Sequence, residues 1–148
     1  MSLRDKWCPT LDEWTTECWR SNELRWKLKP KAVKKAAAFL GLTKEVEVQP
    51  VDKRWLDGVG CYCCDGGPIH RILLARGLSP EAASLCLWHE LTHAKQAEGF
   101  VSSLEFWEKF RDTYNAVAGG SEDYFNLPIE KEAFENMDYH WTIGPLAK

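Results

Sequence analysis

Apolar residues recur along this chain with two periods, and the changes of period mark its elements. Over residues 10–28, Leu11, Trp14, Cys18 and Leu24 return at helical spacing, and Thr10 with Glu13 forms a capping box. Pro30 precedes a second predicted helix over residues 31–40, closed by Gly41. Residues 45–49 alternate with period two and predict a short strand. Residues 51–60 read as a loop or a weak strand start. Residues 61–64 and 69–75 are strand candidates, split by the turn signal Asp65-Gly66-Gly67-Pro68. Ser79-Pro80 opens a helix that runs to Glu98 and stops at Gly99. Ser102 and Glu105 cap another, with Leu104, Trp107, Phe110, Tyr114 and Val117 along one face and Gly119-Gly120 at its end. Asn126-Leu127-Pro128 opens a last helix to Trp141. Helices, a small sheet and three more helices predict an α+β fold.

Size and charge narrow the picture. The 148 residues suit a single domain over 1–148, with a helical N-terminal extension (1–44) packed on 45–148. Four of the eight tryptophans (Trp7, Trp14, Trp19 and Trp26) crowd that extension, which argues for packing on the body. A folded chain of 17.0 kDa should expose about 7,700 Å². The net charge of −3 lacks the basic surplus of a nucleic-acid binder. No apolar run approaches the ~20 residues of a membrane span. Residues 1–7 lack the apolar core of a signal peptide, so the expected location is cytoplasmic, with reduced thiols. The cluster Cys61-Tyr62-Cys63-Cys64 has three readings: a metal site, a disulfide, or small apolar residues on a strand.

The chemistry concentrates in His89-Glu90-Leu91-Thr92-His93, an H-E-x-x-H motif. Composition alone would produce such a motif in about one chain in 100 like this one. It falls in the middle of a well-capped predicted helix. There, His89 and His93 are about 40° apart around the axis, on one face, and can hold one Zn²⁺. Glu90 is turned away from that pair and can take a proton from a water at the metal. A third ligand is needed. Gln96 and Gly99 exclude the H-E-x-x-H-x-x-G-x-x-H extension. On the last helix, Glu130 falls at about 200° from Pro128, within the apolar face formed by Ile129, Ala133, Phe134, Met137 and Trp141. Glu132 at about 40° and Glu135 at about 340° fall on the polar side. A carboxylate on an apolar face needs a counter-charge, so Glu130 is the expected third ligand and Glu132 the reserve.

The stretches Leu87–Gln96 and Pro128-Ile129-Glu130-Lys131-Glu132-Ala133-Phe134 resemble the zincin-fold metallopeptidases. The similarity is closest to small gluzincin-type domains, including ImmA/IrrE-type peptidases and zinc peptidase-like proteins of phages and prophages. It covers about residues 45–141; residues 1–44 carry none of it. In these families an E-x-E-A pattern follows the motif helix, and its first Glu completes the site, which implies Glu130. The resemblance implies a zincin-like fold: a small mixed sheet, an edge strand (residues 69–75) above the motif helix, and a C-terminal helix carrying the Glu ligand. An extended peptide would pair with that edge strand. Larger gluzincins carry an Asp where Phe134 stands, so support for the histidines must come from elsewhere. The implied activity is hydrolysis of a protein or peptide substrate by a zinc-activated water. Glu90 is the implied general base, and Tyr139, His140 and Tyr124 are candidate donors to the oxyanion. His70 reads as structural. Two alternatives stand beside this reading. One is a catalytically inactive zinc-binding module that interacts through its Trp-rich N-terminal segment; the other is a functional cysteine cluster.

Overall fold

The computed structural model describes residues 2–148. The first helix, α1 (Leu3–Arg20), starts at Ser2, whose side chain accepts from the Asp5 amide. The predicted start at Thr10 is therefore eight residues late. The helix runs through Pro9, which is exposed, so water can bond the Asp5 carbonyl that proline leaves unpaired. Trp7, Trp14 and Cys18 form its buried stripe. It ends at Ser21, not near residue 28. The segment that follows is extended: Leu28 bridges Ala147, and Trp26 is buried with its indole N–H on the Ala75 carbonyl (2.9 Å). Helix α2 (Pro30–Leu40) closes at Gly41, where φ is +77°.

Three strands follow: β1 (Val46–Val51), β2 (Gly60–Cys63) and β3 (His70–Ala75), with a 3₁₀ turn over Lys53–Trp55 before β2. The sheet order is β1-β3-β2, with β1 parallel and β2 antiparallel to β3. The expected edge strand over residues 69–75 is thus the central one. Its near-continuous apolar run fits that position, with Ile72, Leu74 and Ala75 fully buried. The edge beside the motif helix is β2.

Helix α3 (Pro80–Ala97) is capped by Ser79 and buried on most of its circumference, because it packs against β2 and β3 on one side and helices on the others. Helix α4 (Ser103–Asn115) is capped by Ser102. A short α5 (Glu122–Asn126), capped by Ser121, buries Phe125. Helix α6 (Pro128–Asn136) packs on α3, and α7 (Tyr139–Thr142) follows. The predicted last helix therefore breaks. Bonds from Met137 to Phe134 and from Asp138 to Glu135 tighten the chain to i→i−3. That turn carries Trp141 out of the apolar face, leaving it 61% exposed.

Trp7, Trp14, Cys18 and Trp26 share one core cluster with the strands and α3. The accessible surface is 8159 Å², close to the size expectation. Among the described residues, no helix is long and apolar enough to cross a membrane.

Candidate metal centre

His89 and His93 stand one turn apart on α3, and Glu130 reaches them from the first turn of α6. Glu130 is there because Pro128 starts α6 and sets which face meets α3. The two Nε2 atoms are 3.2 Å apart. His89 Nε2 lies 3.0 Å from Glu130 Oε1, and His93 Nε2 lies 2.9 Å from Oε2. Ligand bonds of about 2.0–2.2 Å in a tetrahedron place donor atoms about 3.3–3.5 Å from one another, so small outward movements would admit an ion. All three residues are buried, with Glu130 only 2% exposed. Among the described residues, this is the one group of three or more His, Cys, Asp or Glu side chains close enough to hold a metal ion.

The electrostatics suit a cation. Burial opposes charge on Glu130, but the two imidazoles outweigh it and hold the carboxyl well below its usual range. Burial also opposes charge on His93, yet the Glu130 carboxylate raises it to about 9. Two phenols bear on the same carboxylate: Tyr124 Oη donates to Oε1 (3.0 Å), and Tyr114 donates to Oε2. Burial and the Glu130 charge push both phenols up, so they remain donors.

Gln96 fixes the orientation of His93. Its Oε1 lies 2.8 Å from His93 Nδ1, while its amide nitrogen donates to the Ile129 carbonyl (2.9 Å) and Glu132 Oε1 (3.0 Å). Those partners settle which amide atom is which, and so place the proton on Nδ1 and turn Nε2 inwards. His89 Nδ1 is buried without a hydrogen-bond partner. Gln96 sits one turn beyond His93, a spacing visible in the sequence. Tyr114 was legible there only as part of the apolar face of α4.

Glu90 lies beside the triad, buried, with burial raising its carboxyl above the usual range. It lines two clefts that meet at the centre. One, of about 630 Å³, is walled by Cys8 and Leu11 of α1, Val59, Phe134 and Met137. The other, of about 180 Å³, lies between β2 and α4, beside Phe106, Trp107 and Tyr114. Gly60, His89, Glu90 and Tyr124 border both. The Gly60 backbone passes close enough to Glu90 that an added Cβ would stand 3.6 Å from its Cγ.

The remaining candidates lie elsewhere. Tyr139 packs edge-on against Phe39 and beside Trp88, away from both clefts. His140 is buried, with Nδ1 2.7 Å from Ser84 Oγ, which also accepts from the Leu146 amide. Both sit past the break after α6, which redirects them from the metal face. Glu132 is exposed and serves Gln96, not the triad. The six cysteines are free thiols, and Cys61, Cys63 and Cys64 form no three-residue metal group with their neighbours. In comparisons with known proteins, no family model, no curated protein and no solved structure matches this chain.

Proposed function

We propose that the chain is a zinc-dependent peptidase of zincin-like, gluzincin-type architecture, acting on a protein or peptide substrate in the cytoplasm. The observation that carries this is the convergence of His89 Nε2, His93 Nε2 and a Glu130 oxygen where two clefts meet, with Glu90 alongside. Two imidazoles and a carboxylate, buried and open on one side, suit zinc in a catalytic arrangement. His89, His93 and Glu130 would hold the zinc, which would supply Lewis acidity towards a carbonyl oxygen and a water.

The chain's own groups do the rest. Glu90 has a raised carboxyl at the cleft junction, so it can take a proton from water and return it to the leaving amine. Tyr124 borders both clefts, and by turning its hydroxyl from Glu130 Oε1 it would donate to a developing oxyanion. The free edge of β2 offers backbone groups to an extended peptide. Leu11, Phe134 and Met137 give the larger cleft beside Glu90 an apolar wall.

The test compares zinc content after exhaustive dialysis in the wild type, His93→Ala and Glu130→Ala. One equivalent in the wild type and none in the variants supports the site. A folded wild type that cannot be loaded with zinc overturns it. Glu90→Gln, assayed on a mixed peptide library, should keep zinc and lose hydrolysis. A second reading, an inactive zinc-binding interaction module, draws on exposed indoles at Trp19 (62%) and Trp55 (76%). Zinc in the wild type with no cleavage beyond that of Glu90→Gln selects it.

A further inference from the structure

Strand β2 carries a second group of reactive side chains, with Cys61 at the border of the smaller cleft beside the metal centre. Alternate side chains of a strand point to opposite faces. Tyr62 points inwards, buried, with its hydroxyl 2.8 Å from His70 Nδ1. Cys61 and Cys63 therefore share the outer face, Cys61 exposed and Cys63 half-buried. The antiparallel register sets Cys63 opposite Arg71 and Cys61 opposite Leu73. Arg71 is held over this face by Asp65 (3.6 Å) and Glu47 (3.8 Å). Cys63 thus has a thiol two residues along its own strand and a guanidinium across the ladder.

We propose that Cys61 and Cys63 form a redox-active dithiol that exchanges with low-molecular-weight disulfides and closes to a disulfide within β2. The charges divide the roles. The neighbouring Cys61 thiol lowers Cys63 to about 7, with help from Arg71, against burial and the carboxylates of Asp65 and Glu90. Cys61, whose thiol donates to the Tyr62 carbonyl (3.5 Å), is raised by the neighbouring Cys63 and by burial. Cys64 is raised by burial to about 12. Cys63 is the attacking thiolate and Cys61 the resolving thiol.

In the first step the Cys63 sulfur attacks one sulfur of the oxidant. The oxidant's S–S bond breaks, one thiolate leaves, and Cys63 carries a mixed disulfide. Cys61 then gives its proton to that thiolate and attacks the Cys63 sulfur, expelling the second thiolate. Two electrons pass from the two cysteines to the oxidant, which ends as one thiol and one thiolate, the latter taking up from water the proton that Cys63 had released. The strand rise puts Cα atoms two residues apart at about 6.4–6.8 Å. That is the upper end of the range a disulfide spans, so closure must kink the strand. β2 can kink, because it has four residues and a ladder partner on one side only. A bond closed under such strain is readily reduced, which suits a reversible device.

The test treats the full chain with graded mixtures of reduced and oxidised glutathione, alkylates the remaining thiols and maps them by mass spectrometry. Two of the six cysteines should lose their label, and fragmentation should place the loss at Cys61 and Cys63, with Cys64 still labelled. Cys64→Ser should keep the reaction, and Cys63→Ser should abolish it. On the untreated wild type at pH 7, Cys63 should alkylate at least about tenfold faster than Cys61 or Cys64. A stable glutathione adduct on Cys63, a bond to Cys64, six persistent thiols, or equal alkylation rates would each overturn the proposal.

Discussion

Two buried sites in this molecule pair histidine with glutamate, and they differ in how completely protein donors satisfy them. At the first, His70 Nε2 lies 2.6 Å from Glu98 Oε2, and Nδ1 lies 2.8 Å from Tyr62 Oη. Glu98 also accepts from the Thr43 amide and hydroxyl and the Lys44 amide. Every polar atom there has its partner. At the second, His89 and His93 turn their Nε2 atoms towards each other and towards Glu130. Nitrogen faces nitrogen at 3.2 Å, and His89 Nδ1 has no partner. The first network ties the β3 end of the sheet to the end of α3 and needs nothing more. The second gathers two imidazole nitrogens and a carboxylate within reach of one ion. A buried His–Glu contact is therefore common to both sites, and what sets the second apart is three ligand atoms close enough to share one ion.

The contrast is broken or sharpened most by adding zinc. The wild type should gain about 4 kcal/mol of unfolding free energy at a thousandfold excess of zinc over its dissociation constant. His93→Ala and Glu130→Ala should gain nothing, read from denaturant midpoints with and without zinc. A His70→Ala variant that remained folded should still respond to zinc. If it did not, the two sites would not be separable.

Next is the orientation of His93. Gln96→Leu removes the acceptor at Nδ1 and should weaken zinc binding about 10–100-fold by competition with a chromophoric chelator. Gln96→Glu retains an acceptor at Nδ1 and should recover most of that loss. A purely structural role for Gln96 predicts no such recovery.

The saturated site should respond to pH instead. Burial works against the charge of Glu98, but His70, Thr43 and Lys44 outweigh it and lower its carboxyl to about 2 from an unperturbed 4.5. A lowered carboxyl stabilises the fold above its unfolded pKa and loses that contribution as pH falls towards the folded value. Glu98→Gln should cost about 1–2 kcal/mol at neutral pH. The gap from wild type should close between pH 5 and pH 2 in acid–urea titrations. A gap that widened on acidification would reverse the assignment.

The smallest expected effect is that of Tyr124→Phe, which removes one of two phenols on Glu130. Zinc affinity should fall by about 2–10-fold, with Tyr114 still in place.

Local signals carried much of this structure. Ser79-Pro80 and Ser102 are helix starts, and Gly41 is a helix end. The position of Glu130 followed from rotation about one helix axis, because α6 is regular up to Asn136. The same rotation failed for Trp141, which is exposed, since the i→i−3 bonds at Met137 and Asp138 shift the phase. The Thr10/Glu13 pattern was a false start, because capping chemistry at Ser2 acts earlier and Pro9 is tolerated on the water side. Strand order was also hidden: a run such as His70–Ala75 shows that a strand is buried, not which neighbours flank it. Tyr114 was invisible as a Glu130 partner because that contact depends on how α4 lies across α6.

One further consequence comes from the ends of the described chain. Lys27 and Lys148 exchange backbone hydrogen bonds, and Lys29 donates to Leu146. These partners are more than a hundred residues apart, so closing the loop between them carries an entropic cost before the contact returns anything. The pairing of residues 27–29 with 146–148 therefore completes late in folding. During synthesis, residues 27–29 remain without these partners until the residues around 146–148 have emerged, whereas Arg25 and Trp26 can already bond to Arg76 and Ala75.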